Sequence, residues 1–209
     1  MRLVKAFLAC LAGLALSGAV ATAQPAAPAV SPDFSAVKLG DYTVEPVHTR
    51  ILFSLSHLGF STWYGDFTHA SGTARIDPAH PAASSVEVSV PTDSVSTTNA
   101  VLDGELKGPD WFDAAKFPAI TFKSRQLTVT GPNQGQIVGD LTLHGVTRPV
   151  TLQVQFHGAG MNPLTHAFTA GFDATGAIKR GDFGVTKYLP VVGDDVNLII
   201  SVAFERKAS

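Results

Sequence analysis

Apolar and polar residues alternate along most of the chain in short runs separated by turn residues, starting near Asp41. Tyr42-Thr43-Val44 opens the series. In residues 50–58, Ile51, Phe53, Leu55 and His57 share one parity, and Leu52, Ser54, Ser56 and Leu58 share the other. A period of two marks a strand with two unlike faces. Residues 63–77 are predicted as one long strand that ends at Asp77-Pro78, with Gly65 and Gly72 free to bend it as a barrel corner requires. Residues 84–90 set Val86, Val88 and Val90 on one face. Strand patterning resumes over 119–130, and Gly131-Pro132-Asn133-Gln134-Gly135 then predicts a hairpin turn.

The later strands alternate most clearly. Residues 136–144 carry Ile137, Leu141 and Leu143 on one face, and residues 149–157 carry Val150, Leu152, Val154 and Phe156. Phe168, Ala170 and Phe172 follow within residues 165–174. Val196, Leu198, Ile200, Val202 and Phe204 share a parity in residues 195–206. About eight or nine strands at short intervals, with hairpin connections and no βαβ unit, predict a single all-β sandwich or barrel. Long strands with one apolar parity favour a closed antiparallel barrel, whose interior is either filled by side chains or holds one small ligand. Periodicity alone favours the filled interior.

One stretch breaks the alternation. Thr98 is positioned to cap a short helix through Leu106, and Gly108-Pro109 would stop it. Trp111, Phe112, Phe117 and Phe122 then come close together, punctuated by Pro109 and Pro118. This helical and aromatic insertion, around residues 98–118, should either cork a barrel or line its entrance.

The N-terminus belongs to a different pattern. Arg2 and Lys5 precede an apolar run over residues 6–20, and Ala21-Thr22-Ala23 supplies an A-x-A cleavage site, so residues 1–23 read as a cleaved signal peptide. The run is too short for a stable membrane span, and the expected location is the periplasm or outside the cell. A rival reading makes Cys10, after Phe7-Leu8-Ala9, a lipid attachment site. Cleavage after Ala23 leaves a mature chain without cysteine, which must rely on its core rather than on disulfides. The Pro- and Ala-rich residues 24–40 read as a flexible lead-in, and residues 41–206 as the barrel. Losing Arg2 and Lys5 takes the formal charge from −2 to −4. Charges are sparse and of mixed sign, which argues against nucleic acid as a partner.

Candidate chemistry is thin. The histidines His48, His57, His69, His80, His144, His157 and His166 are scattered without the spacing of a zinc site, so no metal is expected. His57, on an apolar strand face, reads as a buried, hydrogen-bonded residue. Asp182-Phe183-Gly184 matches the metal-binding tripeptide of kinases, but no other kinase motif accompanies it. No serine sits in a G-x-S-x-G elbow.

A set of motifs in fixed order carries a family resemblance. It runs through Tyr42-Thr43-Val44 with His48, residues 53–59 (FSLSHLG), Gly65-Asp66-Phe67, Ile76-Asp77-Pro78 and Ser94-Val95-Ser96-Thr97. It continues with Pro109-Asp110-Trp111-Phe112-Asp113, residues 117–124 (FPAITFKS), residues 139–147 (GDLTLHGVT) and Arg180-Gly181-Asp182-Phe183-Gly184. Over about residues 41–206 the chain resembles the YceI-like family of periplasmic, lipocalin-like proteins that bind polyisoprenoids and related long-chain lipids. Two positions depart from the family pattern. Glu105 stands in Asp103-Gly104-Glu105-Leu106 where histidine is common, and Glu45 stands where aspartate is usual.

The resemblance implies an extended eight-stranded lipocalin-like barrel with an elongated apolar pocket, and it reverses the preference for a filled interior. The expected ligand is an isoprenoid or fatty-chain lipid, with no catalytic residue and no other cofactor; members are often homodimers. The expected lining is Phe53, Leu55, Phe67, Val88, Trp111, Phe112, Phe117, Phe122, Leu141, Leu143, Val154, Phe156, Phe168, Phe172 and Leu198. His57, Arg180 and Asp182 are expected to be structural, the last two as an ion pair or a turn that braces the barrel. The alternatives are a lipid-modifying enzyme using His57 or Asp103 in the same cavity, and a packed-shut module that binds a protein on its outer surface.

Overall fold

A computed structural model describes residues 29–207; the signal-peptide reading of residues 1–23 and the Cys10 alternative lie outside them. The strands are β1 (Val30–Ser31), β2 (Gly40–Val44), β3 (Arg50–His57), β4 (Ser61–Phe67), β5 (Ser71–Ile76), β6 (Ser85–Pro91) and β7 (Val95–Ser96). The helix α1 (Ala100–Lys107) follows, then β8 (Ala119–Gly131), β9 (Gln134–Leu143), β10 (Val146–Met161), β11 (Phe168–Lys179) and β12 (Asp195–Arg206). All pairings are antiparallel, and the ring β2-β5-β6-β8-β9-β10-β11-β12 closes on itself as an eight-stranded barrel. None of the described helices is long and apolar enough to cross a membrane.

Three walls of the barrel are composite strands. β2 and β3 pair in turn with successive parts of β12, through Thr43 with Glu205 and then Ile51 with Ile200. β4 and β5 lie end to end beside them, and β6 and β7 lie beside β4 and β5. The single strand predicted over residues 63–77 is therefore interrupted at residues 68–70, where His69 takes a positive φ of 60°. The matching break between β2 and β3 is held locally: the Glu45 carboxylate accepts the backbone N–H groups of Val47 and His48 at 3.1 and 2.9 Å. Just beyond it, Arg50 pairs with the buried Asp66 across β3 and β4.

The inward rows follow the predicted parity, with one inversion inside β8 and another past Phe156 in β10, where the ladder to β11 shifts register and Ala159 becomes buried. β8 carries an extra residue between Ser124 and Gln126 relative to β9. A bulge of this kind turns every later side chain over. Ile120 and Phe122 thus face inward before it, and Leu127 and Val129 after it. Gly65 does more than permit bending: a Cβ there would lie 2.4 Å from Cζ of Phe53, whose ring covers it from the neighbouring strand. Gly139 accommodates the Phe122 ring in the same way.

Two expectations are corrected. The helix cap is Asn99 rather than Thr98: Asn99 Oδ1 accepts the N–H groups of Val101 and Leu102 at 3.1 and 3.3 Å, while Thr98 sits at φ 62°. Asn is as good a cap as Thr or better, and it tolerates the extended backbone needed there. The lead-in also ends earlier than expected. From Val30 onward it is built into the fold, as β1 pairs with Gly160 and Ala159 of β10, and Val37 is buried.

Candidate binding cavity

The inward rows do not fill the barrel. They enclose a cavity of about 320 Å³, within the span of roughly 300–1,000 Å³ typical of small-molecule sites. Its walls are almost entirely aliphatic and aromatic. Phe53 and Leu55 of β3, Val88 of β6, Phe122 of β8, Leu141 and Leu143 of β9, Val154 and Phe156 of β10, Phe172 of β11 and Leu198 of β12 all line it. Phe67 of β4 joins them, with its ring 5.6 Å from that of Phe53.

The insertion after β7 closes one end. Leu106 of α1 and Trp111 are buried, and Phe112 sets its ring against Phe67 and Phe53 at centroid distances of 5.4 and 6.5 Å. Here the insertion is a cork, and the entrance lies elsewhere. The Trp111 indole N–H donates to Glu105 Oε1 at 3.3 Å, so the glutamate that departs from the family pattern helps to hold the cork. Asp103 accepts the backbone N–H and the hydroxyl of Thr97, both at 2.6 Å. That fixes the start of the insertion and takes Asp103 away from the cavity.

Arg180 completes this floor. It is 4% exposed and donates through Nε to Gly193 O (2.8 Å), through Nη1 to Val185 O (2.8 Å) and through Nη2 to Val192 O (2.7 Å). Its guanidinium carbon lies 5.4 Å from the Trp111 ring. Burial pushes its pKa down, and the nearby Asp194 opposes that shift. The expected pairing with Asp182 is not formed. Asp182 lies in the 3₁₀ turn Arg180–Phe183, where its carbonyl accepts Arg148 Nε at 3.3 Å, so of the two bracing roles only the turn stands.

At the opposite end the lining changes character. Arg75, Pro81, Ser84, Ser85, Asn133 and Gln134 border the cavity beside Leu127 and Val129. β6 pairs with β8 only as far as Lys123. Past that point the outer half of β8 faces the β5–β6 loop, joined at its start by Ser124 Oγ accepting the Val86 N–H at 2.9 Å. This is the mouth. Phe34, from the segment before β2, reaches into it and lines the cavity.

Two residues expected in the lining stand outside it. Phe117 packs edge-on against His144 at 4.8 Å and covers Gly145 in the β9–β10 turn. The positive φ of Asp113 (47°) and the turn after it carry Phe117 away from Trp111 and Phe112. Phe168, the first residue of β11, packs against the core near the mouth, with Lys38 Nζ 4.5 Å above its ring. His57 is half-buried, forms no side-chain hydrogen bond among the described residues and rests 5.8 Å from the Trp63 ring, outside the cavity; the expectation that it is buried and bonded is corrected. Its strand runs past the end of the β12 ladder there, paired with Ser61 of β4 on one side and bridged to Val192 on the other. No group of three or more His, Cys, Asp or Glu residues that could hold a metal occurs among the described residues.

A YceI-like domain model matches residues 42–204. A UPF0312 protein of Yersinia pestis (strain Pestoides F) is 38% identical over 192 residues, covering 92% of this chain and 94% of that protein. Among solved structures, BcnA of Burkholderia cenocepacia superposes with a TM-score of 0.69 at 26% identity, covering 77% of this chain and 98% of that one. A polyisoprenoid binding domain from Saccharophagus degradans gives a TM-score of 0.58 at 18% identity, over 81% of this chain and all of that one, a likeness of fold alone.

Proposed function

The chain belongs to the YceI-like family, and from that membership and the shape of its interior we propose that it binds and carries a long-chain lipid, a polyisoprenoid or another amphiphile with an extended apolar tail, without covalent chemistry. The observation that carries this reading is the apolar cavity, corked at one end and bordered by polar residues at the other. A tail seated there needs few polar contacts. About ten buried methylenes contribute roughly 8 kcal/mol, enough to offset much of the cost of immobilising a flexible chain. The polar rim of Arg75, Ser84, Ser85, Asn133 and Gln134 is where a head group would meet protein and water together.

The polyisoprenoid binding domain of Saccharophagus degradans shares the fold, which supports an isoprenoid as the first ligand to try. The N-terminal segment, read as a signal peptide, supports work in the periplasm or outside the cell. Neither His57 nor Asp103, the residues an enzymatic reading would use, lines the cavity.

The test is native mass spectrometry of protein purified from its own compartment, with organic extraction of whatever it holds. A long-chain lipid at near one per chain is expected. Protein that neither carries such a lipid nor takes one up from a mixture would overturn the reading.

A further inference from the structure

Among the described residues, Phe34 is the one cavity-lining residue that comes from upstream of the barrel strands. Its ring stands edge-on to Phe156 at 5.3 Å and to Phe172 at 6.5 Å, and those two rings lie 5.4 Å apart. An aromatic ring thus occupies space at the mouth that the barrel wall itself leaves open.

The segment bearing it is anchored on both sides. Upstream, β1 pairs with β10, and the Asn133 side-chain amide donates to Pro32 O at 2.8 Å. Gly158 and Gly160 make room for this: a Cβ at Gly158 would lie 2.4 Å from Val30 Cγ1, and one at Gly160 would lie 2.5 Å from Ala29 O. Downstream, Val37 is buried, and the fully buried Tyr42 donates its hydroxyl to Lys38 O at 2.6 Å. Between the anchors, Asp33 caps a 3₁₀ turn, Phe34–Ala36, by accepting the Ser35 N–H at 2.9 Å. Phe34 is therefore held in place by its neighbours.

The cavity then has two aromatic stops: Trp111 with Phe112 at the floor, and Phe34 at the mouth. We infer that Phe34 determines the length of apolar chain the cavity accepts, an inference that rests on the lipid-binding reading. A chain that reaches from the floor to the Phe34 ring fills the enclosed column. A longer one must displace the ring or leave its end in water, which forfeits the gain of burying each further methylene.

The experiment uses the full mature chain and two ladders of stepwise longer probes, saturated fatty acids and all-trans prenyl alcohols. Affinities are measured for wild type, Phe34→Ala, Phe34→Leu and Phe34→Trp, with thermal unfolding to verify that each variant is folded. Phe34→Ala should move the preferred length upward, binding the first over-long probe about tenfold more tightly, as expected from seating roughly two more methylenes. Phe34→Trp should move it downward, and Phe34→Leu should fall between wild type and Phe34→Ala, keeping the comparison intact if Phe34→Ala does not fold. An unchanged length preference across the folded variants overturns this inference and leaves lipid binding standing. Failure of wild type to bind any probe of either ladder overturns both.

Discussion

The two ends of the barrel are closed in different ways. At the floor, Leu106, Trp111, Phe183 and Val185 are continuous with the buried core, and every nitrogen of the Arg180 guanidinium has a backbone carbonyl partner. At the mouth, one half-buried ring is held by a two-residue ladder, one side-chain amide and one tyrosine hydroxyl. The floor is sealed by the interactions that keep the protein folded. The mouth is closed by a tether whose loss leaves the barrel ladders intact. Local opening draws on the least stable parts of a structure, so ligand exchange should pass through the mouth.

The largest effect expected from breaking that contrast is at Arg180. Arg180→Met leaves the buried carbonyls of Val185 and Val192, and the half-buried one of Gly193, without their donor. At about 1–3 kcal/mol for each unsatisfied group, urea titration should show a loss of about 3 kcal/mol or more. A loss below about 1 kcal/mol would mean that the guanidinium does not seal the floor. Trp111→Ala comes next, at about 3 kcal/mol for a buried large-to-small change, together with faster release of bound lipid in a dilution assay.

Phe34→Ala should lower stability by only about 1 kcal/mol, because the ring is half-buried and the ladders do not depend on it. Its effect on lipid release should nevertheless match or exceed that of Trp111→Ala. The reverse order of release rates would place exchange at the floor. Asp110→Asn removes an exposed pair with Lys187 and should change stability by less than about 0.5 kcal/mol, with lipid retention unaltered.

The smallest predicted effect follows from Asp33, whose pKa the Ser35 N–H holds below the ordinary value. With a depressed folded pKa, the cap is present above the unfolded pKa and is lost as pH falls through the lower, folded one. In an NMR titration the Ser35 amide should stay fixed down to about pH 4 and shift only below it. A midpoint at or above that value would show that Asp33 does not cap the turn.

Much of this was legible in the chain because an antiparallel barrel writes its inner face into the sequence at every second residue. Phe53 and Leu55, or Val154 and Phe156, needed no structure to be placed together. The parity inversion in β8 was not read, because residues 119–130 pass for one regular strand, although Ile120 and Phe122 are even-numbered, Leu127 and Val129 are odd, and the polar run Lys123-Ser124-Arg125-Gln126 lies between. Phe34 was missed because the Pro- and Ala-rich composition around it pointed to disorder. The signal was a lone aromatic directly after the capping residue Asp33. Phe117 was misplaced because closeness in sequence to Trp111 and Phe112 does not survive the turn through Asp113. The floor is harder to foresee. The three carbonyls that Arg180 holds come from residues 185, 192 and 193 in an irregular connection, where no periodicity announces them.

The interruptions in the composite strands fall side by side. Residues 45–49, 68–70 and 92–94 separate β2 from β3, β4 from β5 and β6 from β7 at one level of the barrel. Across that level three neighbouring strands lack regular ladder bonds, while the β11–β12 ladder on the other side of the break runs through it without a register shift. A tube scored on one side and continuous on the other bends along the score line. The wall should therefore yield there first, and amides of residues 68–70 should exchange with solvent sooner than those of β11 and β12.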